Sequence, residues 1–413
     1  MKTKSMLAAA ALALSAAALP FATRAEDKPL ELKSDAKSVS TANNKFGVDL
    51  FHKLHKDGEN TFISPLSIGV CMQLVTTAAE DETRNQLLKA MHAEQLDLGK
   101  GNRNLLTEMN SKQQLTLRVA NSVWADPTRI TLDQVFVQGA RENFDAEVRA
   151  LDFSKESESL KTINGWVKEE TEGKIPELLN QISPTTVTYL INAVYFKADW
   201  KTQFKKENTK PADFTMADGT KRKADMMSRR DDFRYGVIDG TQVIQLPYGK
   251  DGKVSMWVAL PAAGEGLDKF VGKLSADSFA TWNSKSSLQD GTFEMPRFTM
   301  RFKEELNEAL QALGIKDAFN PAVSEFDKLG VSHMEGNPRI WISKVIHEAV
   351  IEVNEEGTVA AAATAVAMDS GGSASPPKPF KMRCDRPFFL AITDSTTGAV
   401  LFMGTVYKPE KLE

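Results

Sequence analysis

Glu352-Val353-Asn354-Glu355-Glu356-Gly357-Thr358-Val359-Ala360-Ala361-Ala362-Ala363-Thr364-Ala365-Val366-Ala367-Met368 is the stretch around which the rest of the chain can be ordered. Residues 340–353, before it, are apolar and β-branched and predict a strand, and so do residues 387–406 after it. The segment between, residues 355–381, holds Gly-Thr, an alanine tract, Gly371-Gly372 and three prolines. So long a loop inside a compact domain calls for a functional reading. Written as a strand, it puts Thr358, Ala360, Ala362, Thr364, Val366 and Met368 on one face. That face carries no charge. No proline interrupts before Pro376, so every N–H of the run can join a ladder. The tract also has good helix propensity, and alone it would suit a surface helix or linker. The Glu-Glu-Gly-Thr ahead of it and the strands on both sides favour a strand that can insert into a sheet.

Outward from this stretch, helices dominate the first half of the chain. Residues 43–54 repeat Phe46, Leu50 and Leu54 at helical spacing, and Ser64-Pro65 opens a second helix to Val75. Residues 83–91, 135–143, 157–171 and 304–313 predict further helices. Residues 186–196 form a long apolar run suited to a central strand, and residues 214–260 alternate short strands with Asp-Gly turns. There is no internal repeat and no βαβ alternation, so we expect an α+β fold built as one unit.

The N-terminus resembles an export signal: Lys2 and Lys4, an Ala/Leu run over residues 6–19, then Thr23 and Ala25 at cleavage positions. The run is shorter than the ~20 residues a bilayer needs. We expect residues 1–25 to be removed, residues 26–42 to be a flexible lead-in and residues 43–413 to fold. The destination is then secreted or periplasmic. The net charge is −4, and removal of Lys2, Lys4 and Arg24 makes it more negative. Nothing here draws the chain to nucleic acid or an anionic membrane. Cys71 and Cys384 allow at most one disulfide, and Cys71, in an apolar helix, predicts a buried free thiol.

Enzyme signatures are missing: no Gly-x-Ser-x-Gly elbow, no phosphate-binding glycine loop, no Cys-x-x-Cys. His347-Glu348 begins like a zinc-protease helix, but Ile351 stands where the second histidine would be. His52 and His55 lie three apart on a helix, lack a third ligand nearby and are flanked by Lys53 and Lys56, which predicts a solvated face. We expect no catalysis, no cofactor and no metal.

Several motifs remain: Phe62-Ile63-Ser64-Pro65-Leu66-Ser67-Ile68, Asn164-Gly165-Trp166-Val167, Asn192-Ala193-Val194-Tyr195-Phe196-Lys197 with Trp200, Leu246-Pro247-Tyr248 and Pro296-Arg297-Phe298. They continue through Ile342-Ser343-Lys344-Val345-x-His347, the Glu352 to Thr364 run, Arg386-Pro387-Phe388-Phe389 and Leu401-Phe402-Met403-Gly404. With these in order, the chain from about Asn43 onward resembles the serpin family. The resemblance implies three β-sheets, eight or nine helices and an exposed reactive loop at about residues 355–381. It implies a mechanism too: a serine (or cysteine) protease cuts the loop, is held as a covalent complex, and is dragged across the inhibitor as the loop inserts.

On that resemblance Glu355, Glu356, Gly357, Thr358 and Ala360, Ala361, Ala362 and Ala363 form the insertion hinge. Ser64, Ser67, Asn192 and His347 match a hydrogen-bonded cluster beneath the opening sheet, and Trp200 matches a tryptophan near its upper end. The cut falls among Met368, Asp369, Ser370, Gly371 and Gly372, with family spacing favouring Gly371. Pro387 lies 29 positions after Thr358, a few more than is usual in the family, with the excess expected after the cut. Small and apolar residues over 365–373 suit an elastase- or subtilisin-like enzyme, and the inhibitor is expected to act as a monomer. A non-inhibitory binding or carrier serpin is the alternative, and the uncharged hinge argues against it. Residues 93–110 hold only Lys100 and Arg103 as bases, too few for activation by an acidic polysaccharide.

Overall fold

The computed structural model describes residues 32–111, 115–183, 186–336, 338–358 and 378–411. Three expectations therefore lie outside the described residues: the signal segment 1–25, the hinge alanines Ala360 to Ala363, and the cut region Met368 to Gly372. Among the described residues there are nine α-helices and three sheets, of nine, six and two strands. The expected α+β class and element count hold.

The six-stranded sheet positions the site. Its order is Phe298–Glu305, Lys344–Val353, Thr188–Asp199, Leu115–Ala125 and Glu147–Ala150, with the two-residue strand Gly357–Thr358 also paired to Thr188–Asp199. At its centre both faces are covered, which is why Thr188–Asp199 and Lys344–Val353 read as apolar runs rather than alternations. One face packs on the helix Pro65–Ala78. That helix is capped by the Ser64 side chain and buried along nearly every residue, as a central helix must be. The other face packs on Glu156–Glu170, whose Ile163 and Val167 join Trp124, Tyr189, Ile191 and Ile346 in a second apolar core. The Trp124 and Trp166 rings meet edge to face at 5.8 Å.

Strand Lys344–Val353 runs parallel to Thr188–Asp199 through seven register pairs, from Lys344↔Tyr189 to Val350↔Tyr195. Above Val350 the two strands part. Into that opening comes Gly357–Thr358, antiparallel, as Gly357↔Asp199 and Thr358↔Ala198. Further along, Phe380–Arg383 forms a parallel edge strand on Ser287–Pro296. Phe380 is fixed there by stacking on Tyr235 at 3.9 Å, over the bare Cα of Gly291. Phe380 and Lys381 are thus strand, so the loop ends before Phe380, two residues short of the expected boundary at 381.

Three sequence expectations need correction. The lead-in does not stay flexible to residue 42: a helix spans Ala36–Leu54, capped by Asp35 on the Ser38 N–H at 2.9 Å, with Val39 and Ala42 buried. The helix Leu98–Asn110 was not expected, because Gly99 and Gly101 lower its propensity; Leu98, Leu105, Leu106 and Met109 bury its apolar face. Residues 304–305 belong to a strand, and the helix there is only Asn307–Ala312. Both cysteines are buried free thiols, with burial pushing Cys71 up to about 12.

Candidate functional site

The hinge begins as a tight reversal. After strand Lys344–Val353, Asn354 N–H donates to the Gly357 carbonyl at 2.9 Å, and the Asn354 side chain accepts from the Glu356 and Gly357 N–H groups. Gly357 has φ +150°, and a Cβ there would sit 2.3 Å from the Ala198 carbonyl oxygen. Only glycine fits. Trp200 locks the reversal from the far side: its ring N–H donates to the Asn354 carbonyl at 2.9 Å, and its backbone N–H to the Glu356 carbonyl at 3.0 Å. The Phe204 N–H donates to the Glu355 carbonyl at 2.8 Å.

The two glutamates differ in role. Glu355 is buried, accepting from the Thr209 hydroxyl at 2.7 Å with Arg297 at 3.7 Å. Glu356 meets the exposed Lys206 at 2.6 Å, a pair that solvent weakens. Thr358, the next residue in, is fully buried, its Oγ1 3.2 Å from the Tyr248 hydroxyl, and Tyr248 stacks on Trp200 at 4.3 Å.

The polar cluster lies lower in the sheet, on the face over the helix Pro65–Ala78. Ser64 Oγ donates to the Leu401 carbonyl at 2.6 Å and accepts from the Ser67 N–H at 3.1 Å. Asn192 donates to Ser67 Oγ and to Asn121 Oδ1, both at 2.5 Å, and its own oxygen accepts from His347 Nδ1–H at 2.6 Å. Asn121, Asn192 and His347 face one another in register across three strands. Strand 344–353 cannot leave strand 188–199 without breaking the His347–Asn192 bond.

All four expected members of the cluster meet. Trp200, expected near the sheet's upper end, lies apart from them, eight residues beyond Asn192, about 26 Å of extended chain, where it holds the Asn354 carbonyl. Sequence reading missed Asn121, which only the strand register brings under Asn192. It also gave no role to Tyr248, Thr209 and Arg297, although Tyr248 and Arg297 lie in family motifs.

His347 is fully buried, Nε2 has no partner among the described residues, and burial pushes its pKa down to about 3. In the unfolded chain histidine titrates near its ordinary ~6.5. The unfolded state therefore takes up the proton first as pH falls. The stability held by neutral His347 is complete above about pH 6.5 and is lost progressively towards pH 3. We expect a stability loss on the order of a few kcal/mol across that window, largely absent in His347→Gln. Urea midpoints of both proteins from pH 7.5 to 4.5 check it: parallel curves would show that His347 is not the titrating group.

The comparisons with known proteins agree with this geometry. The model of the family described as Serpin (serine protease inhibitor) matches residues 41–409. The leukocyte elastase inhibitor of Bos taurus is 35% identical over 386 residues, covering 90% of this chain and 99% of its own. Serpin B4 of Homo sapiens is 34% identical, covering 90% and 100%. Among solved structures, the thermophilic serpin tengpin in its native state superposes with a TM-score of 0.82 at 30% identity, covering 92% of this chain and 96% of its own.

Proposed function

The chain belongs to the serpin family of serine protease inhibitors, and from that premise we propose that it traps an elastase- or subtilisin-like protease through a cut among residues 368–372. The observation that carries this reading is the hinge: Gly357–Thr358 already sits as a strand in the mouth of an opening whose lower part is closed by seven parallel register pairs. A cut downstream would free the following residues to continue that strand. The protease serine Oγ attacks the carbonyl of the residue before the cut. The new amine leaves with a proton, and an ester joins protease to inhibitor. The chain does no catalysis of its own. It supplies the strand whose insertion moves the protease before water can release it.

Target class follows from residues 365–373, which are small or apolar apart from Asp369 and include no Lys or Arg for a trypsin-like pocket. Met368 would fill an apolar pocket better than Gly371. However, a cut after Met368 shortens the inserting strand by three residues, about 10 Å, and reach decides for Gly371. We further propose export, with the mature chain beginning at Glu26 and acting as a monomer.

The test is incubation of the exported protein with elastase-, subtilisin- and trypsin-like enzymes. Detergent-stable adducts are expected with the first two. Mass spectrometry should give a mature N-terminus at Glu26 and a released peptide beginning at Gly371 or Gly372. Turnover with no adduct for any enzyme overturns inhibition, and a peptide beginning at Asp369 in productive complexes overturns the argument from reach.

A further inference from the structure

The end of the first helix departs from the sequence expectation. His52 is exposed, but His55 is not: its side chain is 8% accessible and its ring stacks between Phe51 at 6.0 Å and Tyr407 at 6.1 Å. The third ligand that sequence could not supply comes from 213 residues away. His55 Nε2 lies 3.0 Å from Asp268 Oδ1 and 3.6 Å from Asp57 Oδ1, and the three donor groups lie within 4.8 Å of one another. Tyr407 donates its hydroxyl to Asp268 and steadies that carboxylate. We propose that His55, Asp57 and Asp268 bind a zinc ion.

The geometry suits that ion. Zinc bonds of about 2.0–2.2 Å in a tetrahedron place ligand atoms roughly 3.3–3.5 Å apart, and the two distances from Nε2 straddle that value. One imidazole with two carboxylates favours zinc over magnesium or calcium, which take oxygen alone. Charge is compatible with a dication, because the two carboxylates and the imidazole nitrogen crowd one small space. Nδ1 has no hydrogen-bond partner among the described residues, so packing against Phe51 and Tyr407 holds the ring. Asp57 is 82% accessible and can close the third edge by turning its side chain, leaving a fourth position for water. The ion would tie the chain at the end of helix Ala36–Leu54 to the helix Leu267–Val271, with Tyr407 bracing Asp268. It would favour the folded state in proportion to its occupancy.

The test is calorimetric titration of chelator-treated, full-length mature protein with zinc chloride, together with thermal unfolding. One saturable site and a melting point raised by a few degrees are expected. Asp57→Asn, at an exposed position that leaves folding intact, should bind at least about tenfold more weakly and lose the shift. His92→Gln, removing an exposed histidine paired with Asp49 at 2.8 Å, should change neither. No saturable binding by the parent chain, equal binding by Asp57→Asn, or loss in His92→Gln alone would each overturn the site.

Discussion

Cutting this chain within residues 365–373 with a protease it does not trap should raise its melting temperature by on the order of 10 °C or more. The reason lies in the pairing of the uncut sheet. Strands 344–353 and 188–199 share one parallel ladder of seven register pairs, and above it, among the described residues, the facing edge of strand 188–199 is met only by Gly357 and Thr358. Insertion exchanges that single parallel ladder for two antiparallel ones, which are the stronger kind per residue. Thr358 shows that the opening accepts a small, uncharged side chain, and the same face continues with Ala360, Ala362 and Thr364. Val366 and Met368 then add apolar burial of about 1.5–3 kcal/mol each. Unfolding entropy near 2.1 cal/mol/K per residue means a chain of this length needs roughly 8 kcal/mol for a 10 °C rise. A handful of net hydrogen bonds and those two side chains supply that. Calorimetry on intact and cut protein, with the cut position verified by mass, is the measurement. A melting temperature that stays level or drops would sink the insertion mechanism.

How far the site could be read from sequence depends on whether its contacts are local. The reversal at Glu355-Glu356-Gly357-Thr358 was legible because the stretch is contiguous and its constraints are backbone ones: Gly357 must lack a Cβ, and Thr358 must be small. Ser64 and Ser67 were legible for a similar reason, as Ser64 caps the helix whose first turn holds Ser67. Asn121 was not. It sits in a strand whose texture gives no hint of a polar partner, and only pairing with Asn192 across the sheet gives it a role. His55 was misread because Asp268 and Tyr407 reach it through the fold. The helix from Ala36 was missed because Lys37, Ser38 and Ser40 look like a polar leader, while burial of Val39 and Ala42 decides the matter.

Thr358→Arg should convert the inhibitor into a substrate, raising the number of inhibitor molecules consumed per protease inactivated at least about tenfold. Thr358 is fully buried, paired with Ala198 and 3.2 Å from the Tyr248 hydroxyl, which the stacked Trp200 ring holds in place. The backbone cannot slide aside to make room, because Gly357 already lies against the Ala198 carbonyl. The nearest buried carboxylate, Glu355, is engaged by Thr209 and Arg297. An arginine at 358 therefore leaves the sheet before cleavage. After cleavage it must be dragged back in as an unpaired charge, at several kcal/mol. Each 1.4 kcal/mol added to that step slows insertion tenfold, while hydrolysis of the ester, which depends on the protease alone, keeps its rate. The released protease then meets fresh inhibitor and cuts it in turn. Thr358→Val, equal in shape and uncharged, should stay within a few-fold of the parent, which separates charge burial from loss of the Tyr248 contact. Circular dichroism of the arginine variant checks that it folds, and titration of active protease against inhibitor gives the ratio. If the arginine variant matches the parent in that titration, Thr358 is not the residue through which the loop enters the sheet.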